Sequence, residues 1–363
     1  MYASRYQTLD SWRGLAALLV VFHHVSGMEV GRSAVMVFFV ISGYCITASA
    51  YSCQERGLGF WGYLRRRVRR IYPPYLLALA YYGVTRLIKW WLTGQDDLSR
   101  ITPWQWVQNV TLTQWVSLLP SPIPRAEENY TNLVAAFWSL GYEEQFYLLV
   151  AVLVGVSARW ENGLTRGLLA ITAAAAIWFV GWGGLAYGWF LDYWLLFGMG
   201  TLSYWRLCRA APAQQRWIDG ALAAVTLIAG ALLVAEIDAE GRPRSAEVFT
   251  AGLFALVLIG LRRGDAPLHA SSFGRWTGAL GLVTYSLYLI HQCNLTLVHQ
   301  TILLLTPSGC PTSVVIGLKI GLHVAIAFLF WWFCERPFLN RPMDGPPLVP
   351  SGTPVQAQEG NVG

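Results

Sequence analysis

Charge is what this chain has least of. Asp, Glu, Lys and Arg together make up 13% of its 363 residues, about half the ~25% found in soluble domains. A water-soluble globule needs a more polar shell than that supplies. The six cysteines (Cys45, Cys53, Cys208, Cys293, Cys310 and Cys334) are dispersed, with no CxxC and no Cys/His ligand spacing. That argues against a zinc module or a disulfide framework, assigns them to packing, and leaves no metal site expected. No internal repeat and no second soluble domain is visible. No small-residue cleavage site follows the first apolar run, so it is read as a retained helix and not as a signal peptide. The net charge of +6 comes without any stacking or groove-reading motif, so nucleic acid is not an expected partner.

Apolar residues fill the space that charge leaves. They amount to 55% of the chain, with 18 Trp and 17 Tyr, the composition of a polytopic membrane protein whose partner is a lipid bilayer. Stretches of the roughly 17 to 25 residues needed to span lie near 12–28, 34–51, 73–93, 133–156, 167–184, 189–205, 218–236, 246–262, 279–304 and 313–334. The fold class expected is all-α: a membrane bundle of about ten helices. A Trp-rich stretch from Trp104 to Leu119, broken by Gln105, Gln108, Asn109 and Gln114, reads as an interfacial or re-entrant helix. Residues 1–338 form one membrane domain. The Pro, Gly, Ser and Gln-rich remainder, 339–363, is expected to be a disordered tail. With the N-terminus inside, 18 of the 26 basic residues fall on the cytoplasmic side, while Asp96, Asp97, Glu127, Glu128, Glu236, Asp238 and Glu240 fall outside. This predicts that both termini are cytoplasmic.

Within the first apolar run, LDSWRGLAALLVVFHHV, Arg13 and His24 stand eleven residues apart. At about 100° per residue that is three turns plus roughly 20°, so both leave one helix face about 16 Å apart. The spacing predicts Arg13 near an interface and His24 near mid-depth, where an ionisable group is costly and therefore a candidate functional group. His23 points about 100° away and is assigned to packing.

Four further motifs concentrate polar groups. RRRVRRIYPPY (65–75) sets five arginines before a Pro-Pro pair that is expected to open the next helix; it is either a topological anchor or an anion site in which Arg67 and Arg70 clamp one ligand. FWSLGYEEQFYLL (137–149) carries adjacent carboxylates inside a span, Glu143 sharing a face with Ser139, Phe146 and Tyr147. YSLYLIHQ (285–292) places His291 within reach of the His24 cavity, and FCERPF (333–338) ends the last span with Glu335 expected to pair with the arginine-rich stretch. Arg86, Lys89 and Lys319 either snorkel to the outer interface or border an outer substrate site. His299 and His323 have no supporting context.

These strings, in this order over about residues 9 to 338, resemble the integral-membrane acyltransferase family 3. The resemblance implies a bundle of ten or more helices in the bacterial inner membrane that uses cytoplasmic acyl-CoA, commonly acetyl-CoA, to O-acylate carbohydrate on the far side. The family's arginine, ten residues, histidine motif falls on Arg13 and His24, its paired-arginine motif on Arg67 and Arg70, and its Trp and Glu signature on Trp138 and Glu143. Many bacterial relatives append a hydrolase-like domain, and this chain ends soon after ERPF, so such a domain would be a separate protein or dispensable.

Together these readings give a mechanism. Arg13, Arg67 and Arg70 hold the phosphates of the acyl-CoA donor, and the pantetheine arm threads toward His24. His24 acts as general base or transient acyl carrier, Glu143 orients its imidazole or binds the acceptor, and His291, Trp138 and Tyr147 contact the acceptor glycan. No permanently bound cofactor is expected. The competing reading is a proton-coupled transporter or flippase of a polysaccharide precursor, since intramembrane His and Glu also serve as proton relays. A metal transporter built on His23, His24 and His291 lacks a clustered ligand set.

Overall fold

A computed structural model describes residues 6–99, 101–118, 132–157, 160, 162–182, 188–235 and 244–339. Glu127, Glu128, Tyr130, Arg159, Glu236, Asp238, Glu240 and the expected tail beyond Leu339 lie outside the described residues. Among those described there are helices and no strand. In chain order the α-helices are α1 (Leu9–Ser26), α2 (Gly31–Glu55), α3 (Phe60–Thr93), α4 (Pro103–Thr111), α5 (Trp138–Ser157), α6 (Gly163–Trp182), α7 (Leu191–Cys208), α8 (Pro212–Ala235), α9 (Arg244–Gly260), α10 (Asp265–Ala270), α11 (Ser272–Leu282), α12 (Thr284–Leu305) and α13 (Thr312–Phe330). Each of the ten apolar stretches falls mainly on one long helix, although 73–93 is only the later part of α3 and 279–304 begins on α11. Among the described residues, six segments are long and apolar enough to cross a membrane: those at 31–55, 135–157, 163–181, 212–235, 244–270 and 312–338. The described residues are all-helical, and the protein is a multi-pass membrane protein. α1, α3, α7 and α12 are not among the six; α1, α3 and α12 carry the arginines, His24 and His291, and α2 and α5 further polar groups, of the site described below.

The surface is that of a body in hydrocarbon. Ile177, Leu227, Val234, Leu304 and Phe333 are all exposed. α4 is built the same way: Trp104, Val107 and Val110 turn outward, while Gln105, Gln108 and Asn109 are buried. That is the reverse of a water-soluble amphipathic helix. A capping box starts α4, the Thr102 side chain accepting from Gln105 N and the Gln105 side chain accepting from Thr102 N. The Asn109 side-chain carbonyl then accepts from Gln114 Nε2 at 3.0 Å and Leu133 N at 3.1 Å, so the inward amides are satisfied.

Two backbone features place the site. α2 and α7 meet with carbonyls against glycines: a Cβ on Gly43 would strike the Phe197 carbonyl and one on Gly200 the Val40 carbonyl. Such small-residue contacts let helices approach closely where no hydrophobic effect drives them together. α1 ends at Gly27, whose left-handed φ of 78° lets its N–H reach the His23 carbonyl.

Pro73 and Pro74 do not open a helix. Both lie inside α3, which runs unbroken from Phe60 to Thr93 and so carries the arginine-rich stretch on a helix. Two interior prolines remove the backbone donors for the carbonyls of Arg69 and Arg70, a loss that packed neighbouring helices let a membrane helix tolerate; one turn of α3 there is also contacted by Tyr285, whose hydroxyl donates to the Ile71 carbonyl at 2.9 Å. The expected span at 279–304 is likewise two helices, α11 and α12, separated at Val283.

Candidate functional site

Five helices, α1, α2, α3, α5 and α12, enclose a cavity of about 160 Å³. Its polar wall is Arg13 from α1, Ser42 from α2, Arg67 and Arg70 from α3, Ser139, Glu143 and Tyr147 from α5, and Thr284, Tyr285 and Tyr288 from α12. The selection follows helical periodicity. Residues 139, 143 and 147 are four apart, and 67 and 70 three apart, so each set lies on one face. Of the arginine-rich stretch, Arg65 and Arg69 are exposed; only Arg67 and Arg70 reach this cavity.

The three arginines are held differently. Arg70 Nη1 lies 2.5 Å from Oε1 of Glu335, a fully buried carboxylate that also accepts from Ser286 N at 3.1 Å and Ser286 Oγ at 2.5 Å. ERPF thus pairs with the arginine-rich stretch as its sequence suggests. Arg13 Nη1 lies 3.6 Å from Asp10 and keeps 30% of its side-chain surface accessible. The Arg67 guanidinium lies 5.3 Å from the ring centroids of both Tyr63 and Tyr147, and its buried Nε has no hydrogen-bond partner. Among the described residues, no carboxylate is within salt-bridge distance of Arg67.

Glu143 is the one carboxylate lining the cavity. Its Oε1 accepts from Ser42 Oγ at 3.0 Å and from the Tyr147 hydroxyl at 2.7 Å. With Glu335 against Arg70 and Asp10 beside Arg13, Arg67 is the lining guanidinium that has no carboxylate within salt-bridge distance among the described residues. A buried donor without a partner costs about 1–3 kcal/mol, so an anion that engages Arg67 gains that back. Glu144 faces the other way and accepts from the Tyr72 hydroxyl on α3.

His24 sits across a thin wall from this cavity. Because α1 stops at Ser26, His24 falls in its last turn rather than half-way along the helix. It borders a separate depression of about 270 Å³, shared with His299, Lys319 and His323. Lys319 Nζ is 2.8 Å from His299 Nδ1. The wall is His291 and Tyr288: the His24 and His291 ring centroids are 5.2 Å apart, and Tyr288, which lines the cavity, is 6.1 Å from His291. His291 is fully buried. Its Nδ1 faces the Tyr288 and Leu287 carbonyls at 2.8 and 3.1 Å, and as carbonyls only accept, the proton is on Nδ1. Nε2 therefore carries a lone pair, and it has no partner.

The partner of His24 is Gln292, whose Nε2 is 3.0 Å from His24 Nε2. Of the two roles expected of Glu143, orienting His24 or binding the acceptor, the first has no hydrogen bond to His24 behind it, because its carboxylate is turned to Ser42 and Tyr147. Trp138 lies off both cavities, packed against Phe39, Tyr142 and Tyr193. His23 pins the α1–α2 turn, its Nδ1 2.6 Å from the Met28 carbonyl. Arg86 and Lys89 pair with Asp97. The structure thus gathers Arg13, Arg67, Arg70, Glu143 and Tyr147 in one cavity and places His24 and His291 beside it. Sequence reading missed Gln292, Tyr288 and Ser42, and dismissed His299 and His323. Gln292 adjoins His291 in YSLYLIHQ, a polar pair in an apolar run, and that was the available signal.

Residues 6–333 match the model of a family described as an acyltransferase domain. The chain is 28% identical over 347 residues to the "Putative membrane-bound transacylase BcsY" of Komagataeibacter xylinus, covering 93% of this chain and 84% of that one. It is 23% identical over 378 residues to a "Putative O-acetyltransferase" of Staphylococcus aureus strain COL, covering 91% of this chain and 56% of that longer protein. No solved structure matches significantly.

Proposed function

The chain belongs to the integral-membrane acyltransferase family 3, and from that premise we propose that it takes an acyl group, acetyl foremost, from cytoplasmic acyl-CoA and transfers it to a hydroxyl of a carbohydrate or glycan acceptor. It is an O-acyltransferase enzyme of the membrane; donor, acceptor and site roles are the proposal. The observation that carries it is the convergence of Arg13, Arg67 and Arg70 on one cavity beside Glu143. Coenzyme A brings several phosphate charges, and guanidinium forks match phosphate oxygens. In this reading all ten long helices span the bacterial inner membrane and both termini are cytoplasmic, which puts the arginine end of the cavity on the donor's side.

The transfer is then a short sequence. The donor's phosphates engage Arg67, Arg13 and the exposed edge of Arg70, and the thioester lies toward Ser139 and Tyr288. The acceptor enters from the depression that His24 shares with His299, Lys319 and His323. His24 takes the acceptor's hydroxyl proton, the oxygen bonds to the carbonyl carbon, the carbon–sulfur bond breaks, and the coenzyme A thiolate leaves and recovers the proton. His291 offers its unpartnered Nε2 to a hydroxyl or to the protonated imidazole. A transient acyl group on His24 is the covalent variant of the same sequence, and brief incubation with labelled acetyl-CoA in the absence of acceptor would trap it.

The test is turnover of purified protein with radiolabelled acetyl-CoA and cell-derived glycans. His24→Ala should lose label transfer by 10²- to 10⁴-fold, the usual worth of a general base, and His23→Ala should retain it. Full transfer by His24→Ala, or no label transfer by the wild-type protein to any glycan, would overturn the proposal, the latter in favour of a transporter.

A further inference from the structure

Gln292 is held from two sides in a way that fixes what it can say to His24. Its Oε1 accepts from the Ala136 backbone N–H at 2.7 Å, and its Nε2 is 3.0 Å from His24 Nε2. A backbone N–H can only donate, so the amide must present oxygen to Ala136 and nitrogen to His24. The amide nitrogen in turn can only donate, so His24 Nε2 must be the acceptor and the imidazole proton must sit on Nδ1.

We infer that Gln292 is a positioning residue that locks His24 in the Nδ1–H tautomer and holds its basic lone pair at Nε2. The inference rests on the reading of His24 as the proton acceptor and deepens it, because it names the nitrogen that works and the group that keeps it ready. A base in the wrong tautomer has no lone pair to offer, and that alone can abolish most of its contribution.

The lock is tied to the donor cavity. Ala136 belongs to the 3₁₀ turn Ala135–Phe137 that leads into α5. Its carbonyl accepts from the Tyr288 hydroxyl, and Tyr288 lies 2.7 Å from Ser139 Oγ. Tyr288 and Ser139 both line the cavity of Arg13 and Glu143. One run of hydrogen bonds therefore joins His24 Nε2, through Gln292, Ala136 and Tyr288, to the donor cavity's wall. When an acceptor hydroxyl displaces the amide at Nε2, the freed amide N–H is adjacent to the incoming oxygen and can donate to it. His23, His291, His299, His323 and Lys319 surround His24, but among the hydrogen bonds described only Gln292 contacts a His24 ring nitrogen.

The experiment compares wild type, Gln292→Leu, Gln292→Glu and His24→Ala as full-length protein. Histidine labelled with ¹⁵N reports the tautomer by NMR in lipid bilayers, and acetyl-CoA turnover with a glycan acceptor reports kcat and KM. The signal absent from His24→Ala should be an unprotonated Nε2 in the wild type. Gln292→Leu should spread it over both tautomers and lower kcat about tenfold, the worth of one net hydrogen bond, with KM for acetyl-CoA unchanged. Gln292→Glu keeps the Ala136 bond, and when ionised it can only accept from His24, so the unprotonated Nε2 signal should vanish at a pH at which the introduced carboxylate is charged. A protonated Nε2 in the wild type, or an unchanged spectrum and kcat in Gln292→Leu, would overturn the inference. Turnover that survives in His24→Ala would instead overturn the role of His24, while leaving the tautomer measurement to be judged by itself.

Discussion

Arg67 and Arg70 lie three residues apart on one helix face, yet the structure sets them different tasks, and exchanging each for Met should separate those tasks. Arg70→Met leaves Glu335 fully buried with two bonds from Ser286 and without its ion-pair partner. Breaking a buried pair from one side costs about 3–5 kcal/mol; Arg70 keeps 22% of its side-chain surface accessible, so solvent screens part of that and about 2–4 kcal/mol is expected. Arg67→Met removes two ring contacts, each worth about 0.5–1 kcal/mol or somewhat more when desolvated, but relieves a buried Nε that has no partner. Its net effect on folding should be near 1 kcal/mol or less. Donor binding should reverse the order: Arg67→Met loses a charged hydrogen bond worth about 1.5–3 kcal/mol, which weakens coenzyme A by roughly 10- to 150-fold. Thermal unfolding in detergent and calorimetric titration with coenzyme A measure the two quantities on the same samples. Equal unfolding by both variants with unchanged coenzyme A affinity in Arg67→Met would refute both assignments and return the arginines to topology alone.

Three other outcomes follow from the geometry. With both termini cytoplasmic, single cysteines at Gln95 in a background lacking the six native thiols should label from outside, and those at Arg69 and Arg209 only from inside; the opposite pattern reverses the proposed topology. Gly200→Val should separate α2 from α7, because its side chain meets the Val40 carbonyl, and overpacking typically costs about 1–3 kcal/mol; wild-type stability in an unfolding assay would contradict that contact. The Lys89 ammonium hydrogen-bonded to Asp97 holds that exposed carboxyl below its ordinary range. A depressed carboxylate contributes above its unfolded pKa of about 3.9 and loses that contribution as pH falls through the lower folded value. Asp97→Asn should therefore cost up to about 1 kcal/mol at pH 7 and nothing near pH 2, and a cost independent of pH would exclude the ion pair.

The amino-acid sequence by itself determined that the chain is a helical membrane protein, because scarce charge and long apolar runs leave the backbone no other way to satisfy its hydrogen bonds in lipid. It also determined which residues share a helix face. Periodicity alone grouped Arg67 with Arg70 and Ser139 with Glu143 and Tyr147, and these line one cavity. Periodicity carries no information about which face of another helix is opposite. His24 and Gln292 are 268 residues apart, so only the packing of α1 against α12 could show that Gln292, and not Glu143, holds the imidazole. Tertiary structure likewise decided that Pro73 and Pro74 ride inside α3, because packing among neighbouring helices lets a membrane helix tolerate missing backbone donors. It separated Arg70, committed to Glu335, from Arg67, which has no carboxylate among the described residues. It also brought His299 and His323, unremarkable in the sequence, to the His24 depression, because α12, which carries His299, and α13, which carries His323, pack together beside the end of α1.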